Sequence, residues 1–177
     1  MEMHHHQKSM QSFRLQTQAL CLYAEGEEEA ALQVMAVAWQ KVRRFHKLKK
    51  LRKQKGHVHA QYMLLLCLSQ KELFQESIDE CYDLQDQLVI RLIKQLSLDT
   101  KRTIDLDQLF LCDTLLEQVD AIYYRQYLAF LLAKTRASIQ LDRAQEEMQR
   151  LHRVTCFPSL QQRTAACLHA WQKEEEQ

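Results

Sequence analysis

Apolar residues recur every three or four positions along most of the chain, which is the spacing of one buried helix face. Phe13, Leu15, Leu20, Cys21 and Tyr23 mark a first helix over about 9–24, and Gly26 ends it. Glu27, Glu28 and Glu29 then place carboxylates on the positive end of the next helix dipole. Leu32, Met35, Ala38, Val42, Phe45, Leu48 and Leu51 continue the pattern, so the spacing predicts one long second helix that stops at Gly56. At about 29 residues it would extend roughly 43 Å. A short apolar helix is expected over 57–68, and Ser69 with Glu72 reads as a capping box that opens a fourth helix to about Leu98. A polar connection over 99–107 leads to helices at about 106–119 and 121–137. Asp142 with Gln145, and Ser159 with Gln162 after Pro158, read as two more capping boxes opening the last two helices.

Composition agrees with the periodicity. Glycine and proline together supply 3 of 177 residues, whereas leucine supplies 28 and glutamine 23. Sandwiches, barrels and phosphate-binding α/β folds need glycine at tight turns or at close backbone approaches, so they are excluded. The expected fold is all-α: about eight antiparallel helices, as a degenerate helical-repeat solenoid or an irregular bundle. Residues 9–173 read as a single domain, with a disordered N-terminus over 1–8 and an acidic tail over 174–177. No strictly apolar run, Tyr127–Ala133 included, exceeds seven residues, far short of the roughly 20 a membrane span needs. Six cysteines without a close pair read as reduced, mostly buried thiols, pointing to the cytoplasm, or the nucleus of a eukaryote.

Ala19, Leu22, Gly26, Ala31, Met35 and Ala38 carry small and bulky residues where two close antiparallel helices would cross. The stretch 22–32 resembles a tetratricopeptide-like helical hairpin, with weaker echoes over 65–81 and 132–151. There Ser77 and Ala144 take the small position, and Cys81 and Met148 the bulky one. The resemblance covers about half the chain and departs from the pattern in lacking its closing proline. It implies a scaffold that holds a protein segment rather than an enzyme.

Chemistry-bearing patterns are sparse. The chain has no nucleophile elbow, zinc-protease helix or glycine-rich phosphate loop, and no catalytic or cofactor residue is assigned. His57 with His59, His152 with Cys156, and Cys167 with His169 each offer at most half of a zinc site, so no metal is assigned either.

Charge supplies the one unusual feature. From Ala30 to Lys71 there are ten basic residues and no acid, while the rest of the chain sums to −9. Nine of the ten lie in one stretch: Lys41, Arg43, Arg44, Lys47, Lys49, Lys50, Arg52, Lys53 and Lys55. As the end of the long second helix, this stretch is expected to expose a basic face toward a polyanion or an acidic protein partner. The alternative is packing against the acidic C-terminal half. The leading expectation is a non-catalytic protein-interaction module, such as an adaptor or regulatory subunit, with apolar partner surface supplied by Tyr123, Tyr124, Tyr127 and Phe130. The alternative is a nucleic-acid-binding protein that uses 41–55.

Overall fold

The computed structural model describes residues 2–45, 47–97 and 104–177, with the side chains of 2–5 left aside. Among the described residues there are eight α-helices and no strand, so the all-α reading stands. Among the described residues no helix is long and apolar enough to cross a membrane. The chain divides into two compact units, residues 1–90 and 91–177.

The first unit is built on a hairpin of α1 (Glu2–Ala24) and α2 (Glu28–Val42). Helix α1 starts at Glu2, inside the stretch expected to be disordered. Its end is closed by Gly26 at φ 86°, where the Glu27 and Gly26 amides return to the Leu22 and Tyr23 carbonyls at 2.9 and 3.0 Å. A residue with a Cβ is disfavoured in this left-handed position, so glycine fits it. Ala19, Ala31, Met35 and Ala38 are fully buried. The small side chains that suggested a hairpin therefore do lie at a close helix crossing.

The long second helix is not observed. Helix α2 ends at Val42, the chain turns at 43–44, and α3 runs Lys49–Leu68 straight past Gly56. The reason is Phe45, which is buried at the turn and pulls the backbone inward, whereas Leu48 is left exposed. Gly56 is a notch rather than a stop. A Cβ there would lie 2.7 Å from Cγ of Tyr82, so glycine lets that ring rest directly on the α3 backbone.

The capping box at Ser69 is not formed either. Ser69 instead caps the end of α3, and Gln70 turns left-handed at φ 56°. The Lys71 and Gln70 amides bond the Leu66 and Cys67 carbonyls at 2.9 and 3.2 Å, the same closure as at Gly26. Residues 71–83 then form an irregular strap instead of a helix. Phe74 of the strap stacks on Trp39 at 4.8 Å, His59 at 5.1 Å and Tyr62 at 5.3 Å. Packing that half-buried ring among three aromatic partners outweighs the local helical preference. Helix α4 (Leu84–Ser97) follows the strap.

The second unit holds α5 (Leu106–Glu117), α6 (Ile122–Arg136), α7 (Leu141–Val154) and α8 (Pro158–Glu176). These bounds lie close to the expected ones, although α8 continues into the expected tail. The first part of the expected 99–107 connection lies outside the described residues. The expected boxes at Asp142 and Ser159 are absent, since α7 and α8 start at Leu141 and Pro158 without a side-chain cap. A true capping box sits at α5: Asp105 accepts from the Gln108 amide at 2.8 Å, and Gln108 from the Asp105 amide at 3.0 Å. Tyr124, Tyr127 and Phe130 are core residues, not partner surface, and Tyr123 packs on Tyr127 and Phe157. The exposed large apolar side chains described in this unit are instead Leu106, Phe110, Leu111, Ile122, Ile139 and Val154.

All six cysteines are free thiols. Cys112 is buried, Cys67, Cys81 and Cys167 are half-buried, and Cys21 and Cys156 are exposed, so the expectation of mostly buried thiols holds only in part. Burial pushes the Cys112 thiol up to about 11 and raises Cys167 as well.

Candidate functional site: a basic corner

The basic stretch divides into two parts with opposite surroundings. Lys41 lies on the last turn of α2 and donates to Gln11 Oε1 at 3.3 Å. Arg43, Arg44, Lys47, Lys49 and Lys50 are all exposed at the corner between α2 and α3, and none has an acidic partner among the described residues. The Arg43 side chain donates to Gln40 Oε1 at 3.4 Å.

Their backbone setting sharpens the asymmetry. Arg43 and Arg44 follow the C-terminus of α2, whose partial negative charge suits cations. Lys49 and Lys50 occupy the first turn of α3, on the positive end of its dipole, with no acid in that turn. The N-cap residue there is Leu48, which offers the first amides no side-chain acceptor. Cations and uncapped amides thus share the first turn of α3, and an incoming anion would satisfy both.

From Arg52 onward the charges are used internally, by the strap and the start of α4. Arg52 makes a two-pronged pair with Asp79, both bonds 3.0 Å, and this holds the Asp79 carboxyl below its ordinary range. Lys53 pairs with Asp83 at 3.5 Å. Lys55 is only 3% exposed, reaches Glu76 at 3.4 Å and lies 5.9 Å from the Trp39 ring centre. The basic stretch therefore does pack partly against acids, but against those of 76–83 immediately after α3. The reading of 41–55 as one exposed helical face is corrected accordingly: Arg52, Lys53 and Lys55 belong to the scaffold.

His57 continues this ladder. Its Nδ1 meets Asp86 Oδ2, its Nε2 lies 3.4 Å from Asp83 Oδ2, and Asp86 is buried. Hydrogen bonding to Asp86 raises the His57 pKa, with Asp83 adding to the effect, while burial and Lys53 oppose it. These three side chains bring their ligand-type atoms within 4.8 Å of one another. The two ring nitrogens face different carboxylates, however, which is the arrangement of an imidazolium clasp between α3 and the start of α4. The other histidine–cysteine pairs are not assembled: His59 bonds the Tyr82 hydroxyl at 3.1 Å, and His152 bonds Thr164 at 2.8 Å.

A groove of about 520 Å³ adjoins the corner and shares Arg43 with it. Trp39, Tyr62, Leu73 and Phe74 line it, and Gln75 and Glu76 stand at its edge. Composition and spacing gave no sign of this groove, because it depends on the strap folding back over α2 and α3. No family model, no curated protein and no solved structure matches the chain.

Proposed function

We propose that the chain is a non-catalytic helical interaction module that docks an acidic protein surface on the corner formed by Arg43, Arg44, Lys47, Lys49 and Lys50. One observation carries the reading. In a stretch of nine cations, those from Arg52 on find acids within the fold, while five at the corner do not. Clustered like charges repel one another, and the lysines at the start of α3 also oppose its dipole. An acidic partner relieves both costs. The adjoining aromatic-lined groove favours a protein, since interfaces combine an apolar anchor with a charged rim. The resemblance to tetratricopeptide-like hairpins points to the same class of role.

The uncapped α3 N-terminus beside two lysines favours a second reading, nucleic-acid binding, because phosphate suits such a site equally well. One variant, Arg44→Glu/Lys47→Glu/Lys50→Glu, tests the corner in the full-length chain. Partners captured by the parent and identified by mass spectrometry should be lost, while the thermal midpoint stays within a degree or two of the parent. Capture of the same partners at unchanged strength rejects the corner as an interface. A mobility shift with duplex or single-stranded nucleic acid that persists near physiological salt, and vanishes in the variant, selects the second reading.

A further inference from the structure

The second unit carries a slot with the form of a helix-binding site. Helices α5 and α7 both pack on α6, and a groove of about 400 Å³ opens between them. Ala129 and Leu132 of α6 form its floor, and Leu116, Leu151 and Val154 form its walls. Val154 is 63% exposed, and Ala129 is small enough to admit a close neighbour.

The polar groups around this slot are unevenly satisfied. At one end Arg136, 1% exposed, ties α5 to α7 by bonding Asp113 on one side and Glu147 at 3.2 Å on the other. Arg143 approaches the same two acids at 3.6 and 3.2 Å. The acids of the slot are therefore neutralised inside the fold. Arg125 and Arg150, also lining it, are exposed and have no acidic partner among the described residues. An apolar trough flanked by two uncompensated arginines is complementary to an apolar stripe flanked by carboxylates.

We infer that this slot binds an amphipathic helix of a partner protein, one with two or three apolar side chains at i, i+3 or i+4 and i+7, and acidic residues beside them. The apolar stripe lies along α6 over Ala129 and Leu132, and the acids reach Arg125 and Arg150. The site is separate from the basic corner and shares with the proposal above only the premise that the chain binds proteins.

The test is a display library of 16-residue helical peptides selected against the full-length chain, followed by synthesis of the enriched peptides. Enriched peptides should be acidic with the stated apolar spacing, and their lysine-for-glutamate counterparts should bind at least about tenfold more weakly. Ala129→Trp, which fills the slot, should weaken binding by about tenfold or more. Arg125→Glu and Arg150→Glu each change an exposed side chain and should weaken it about three- to tenfold with the thermal midpoint unchanged. The triple reversal at the basic corner should leave peptide binding intact. The inference is overturned if no peptide is enriched, if the enriched peptides are basic, or if they bind the slot variants as tightly as the parent. It is equally overturned if sedimentation shows a dimer that Ala129→Trp dissociates, because the occupant is then a second copy of the chain. Loss of partners on reversing the corner, with no effect of the slot variants, would reject this site and leave the corner in place.

Discussion

Residues 43–50 and 52–57 are both rich in cations and free of acids, yet the structure uses their cations in opposite ways. The cations of the first group, Arg43, Arg44, Lys47, Lys49 and Lys50, stand at the corner between α2 and α3 with no acidic partner among the described residues. The second faces Glu76, Asp79, Asp83 and Asp86, and each of its charged side chains is paired. The difference lies in what the chain brings opposite them: the acids of the strap and of the start of α4 pair with the side chains from Arg52 on, and with none of the corner cations among the described residues. A run of like charge therefore marks an interface only after its internal partners have been subtracted. The same subtraction separates Arg136 from Arg125 in the second unit, on one helix three turns apart.

The contrast is best broken where pairing is deepest. Arg136→Met should lose about 3 kcal/mol in denaturant unfolding, since it removes the buried partner of Asp113 and Glu147 and leaves them only the exposed Arg143. A loss under about 1 kcal/mol would show that these acids find water easily. Gly56→Ala should lose about 2 kcal/mol, because its methyl drives into the Tyr82 ring at the root of the strap. An unchanged midpoint would mean that the strap is not seated on α3. Lys55→Met keeps the apolar stem over Trp39 but removes the charge facing Glu76, and about 1 kcal/mol of stability should go with it.

A pH series sharpens the same contrast. The folded pKa of His57 is raised above the ordinary 6.5, so its clasp with Asp86 and Asp83 is fully present below that value. Its contribution is lost as pH rises through the raised folded value, with Lys53 the opposing charge on α3. The thermal midpoint should therefore decline as pH climbs from about 6.5, and His57→Gln should abolish that part of the decline. Asp79 has the opposite sign: its lowered pKa contributes above the ordinary 3.8 and is lost as pH falls through the folded value. The smallest effect belongs to the corner. Lys49→Glu should stabilise the protein by about 0.5 kcal/mol, because it places an acid on the first turn of α3. A destabilisation there would mean that Lys49 is held by the fold after all.

How far the fold was legible follows from where local and long-range forces agree. Leucine periodicity with scarce glycine and proline suffices for an all-α chain, and α5 to α8 lie close to their expected bounds because short polar turns separate them. The joint after Val42 was hidden because Phe45 and Leu48 sit at helical spacing, although one is buried in a turn and the other exposed. The strap was hidden because Phe74 and Tyr82 find their partners on α2 and α3, which no local pattern records. Capping boxes misled for a related reason: Ser69, Asp142 and Ser159 have the right spacing but lie within or beside helices whose ends are set by packing. The Asp105 box had the same kind of signature and was passed over as part of a connection. At the candidate site, the nine cations were legible as a group, but their division was not, since it depends on the acids of 76–86 lying against α3.

The uneven exposure of the thiols makes the chain its own labelling scaffold. Cys21 lies in the first unit and Cys156 in the second, both open to solvent, whereas the raised thiols of Cys112 and Cys167 hold little of the reactive thiolate near neutral pH. With the half-buried Cys67 and Cys81 changed to serine, a brief exposure to limiting maleimide should therefore place a donor and an acceptor dye mainly at positions 21 and 156. The energy transfer between them would then read, molecule by molecule, whether a partner seated on one unit changes its distance from the other.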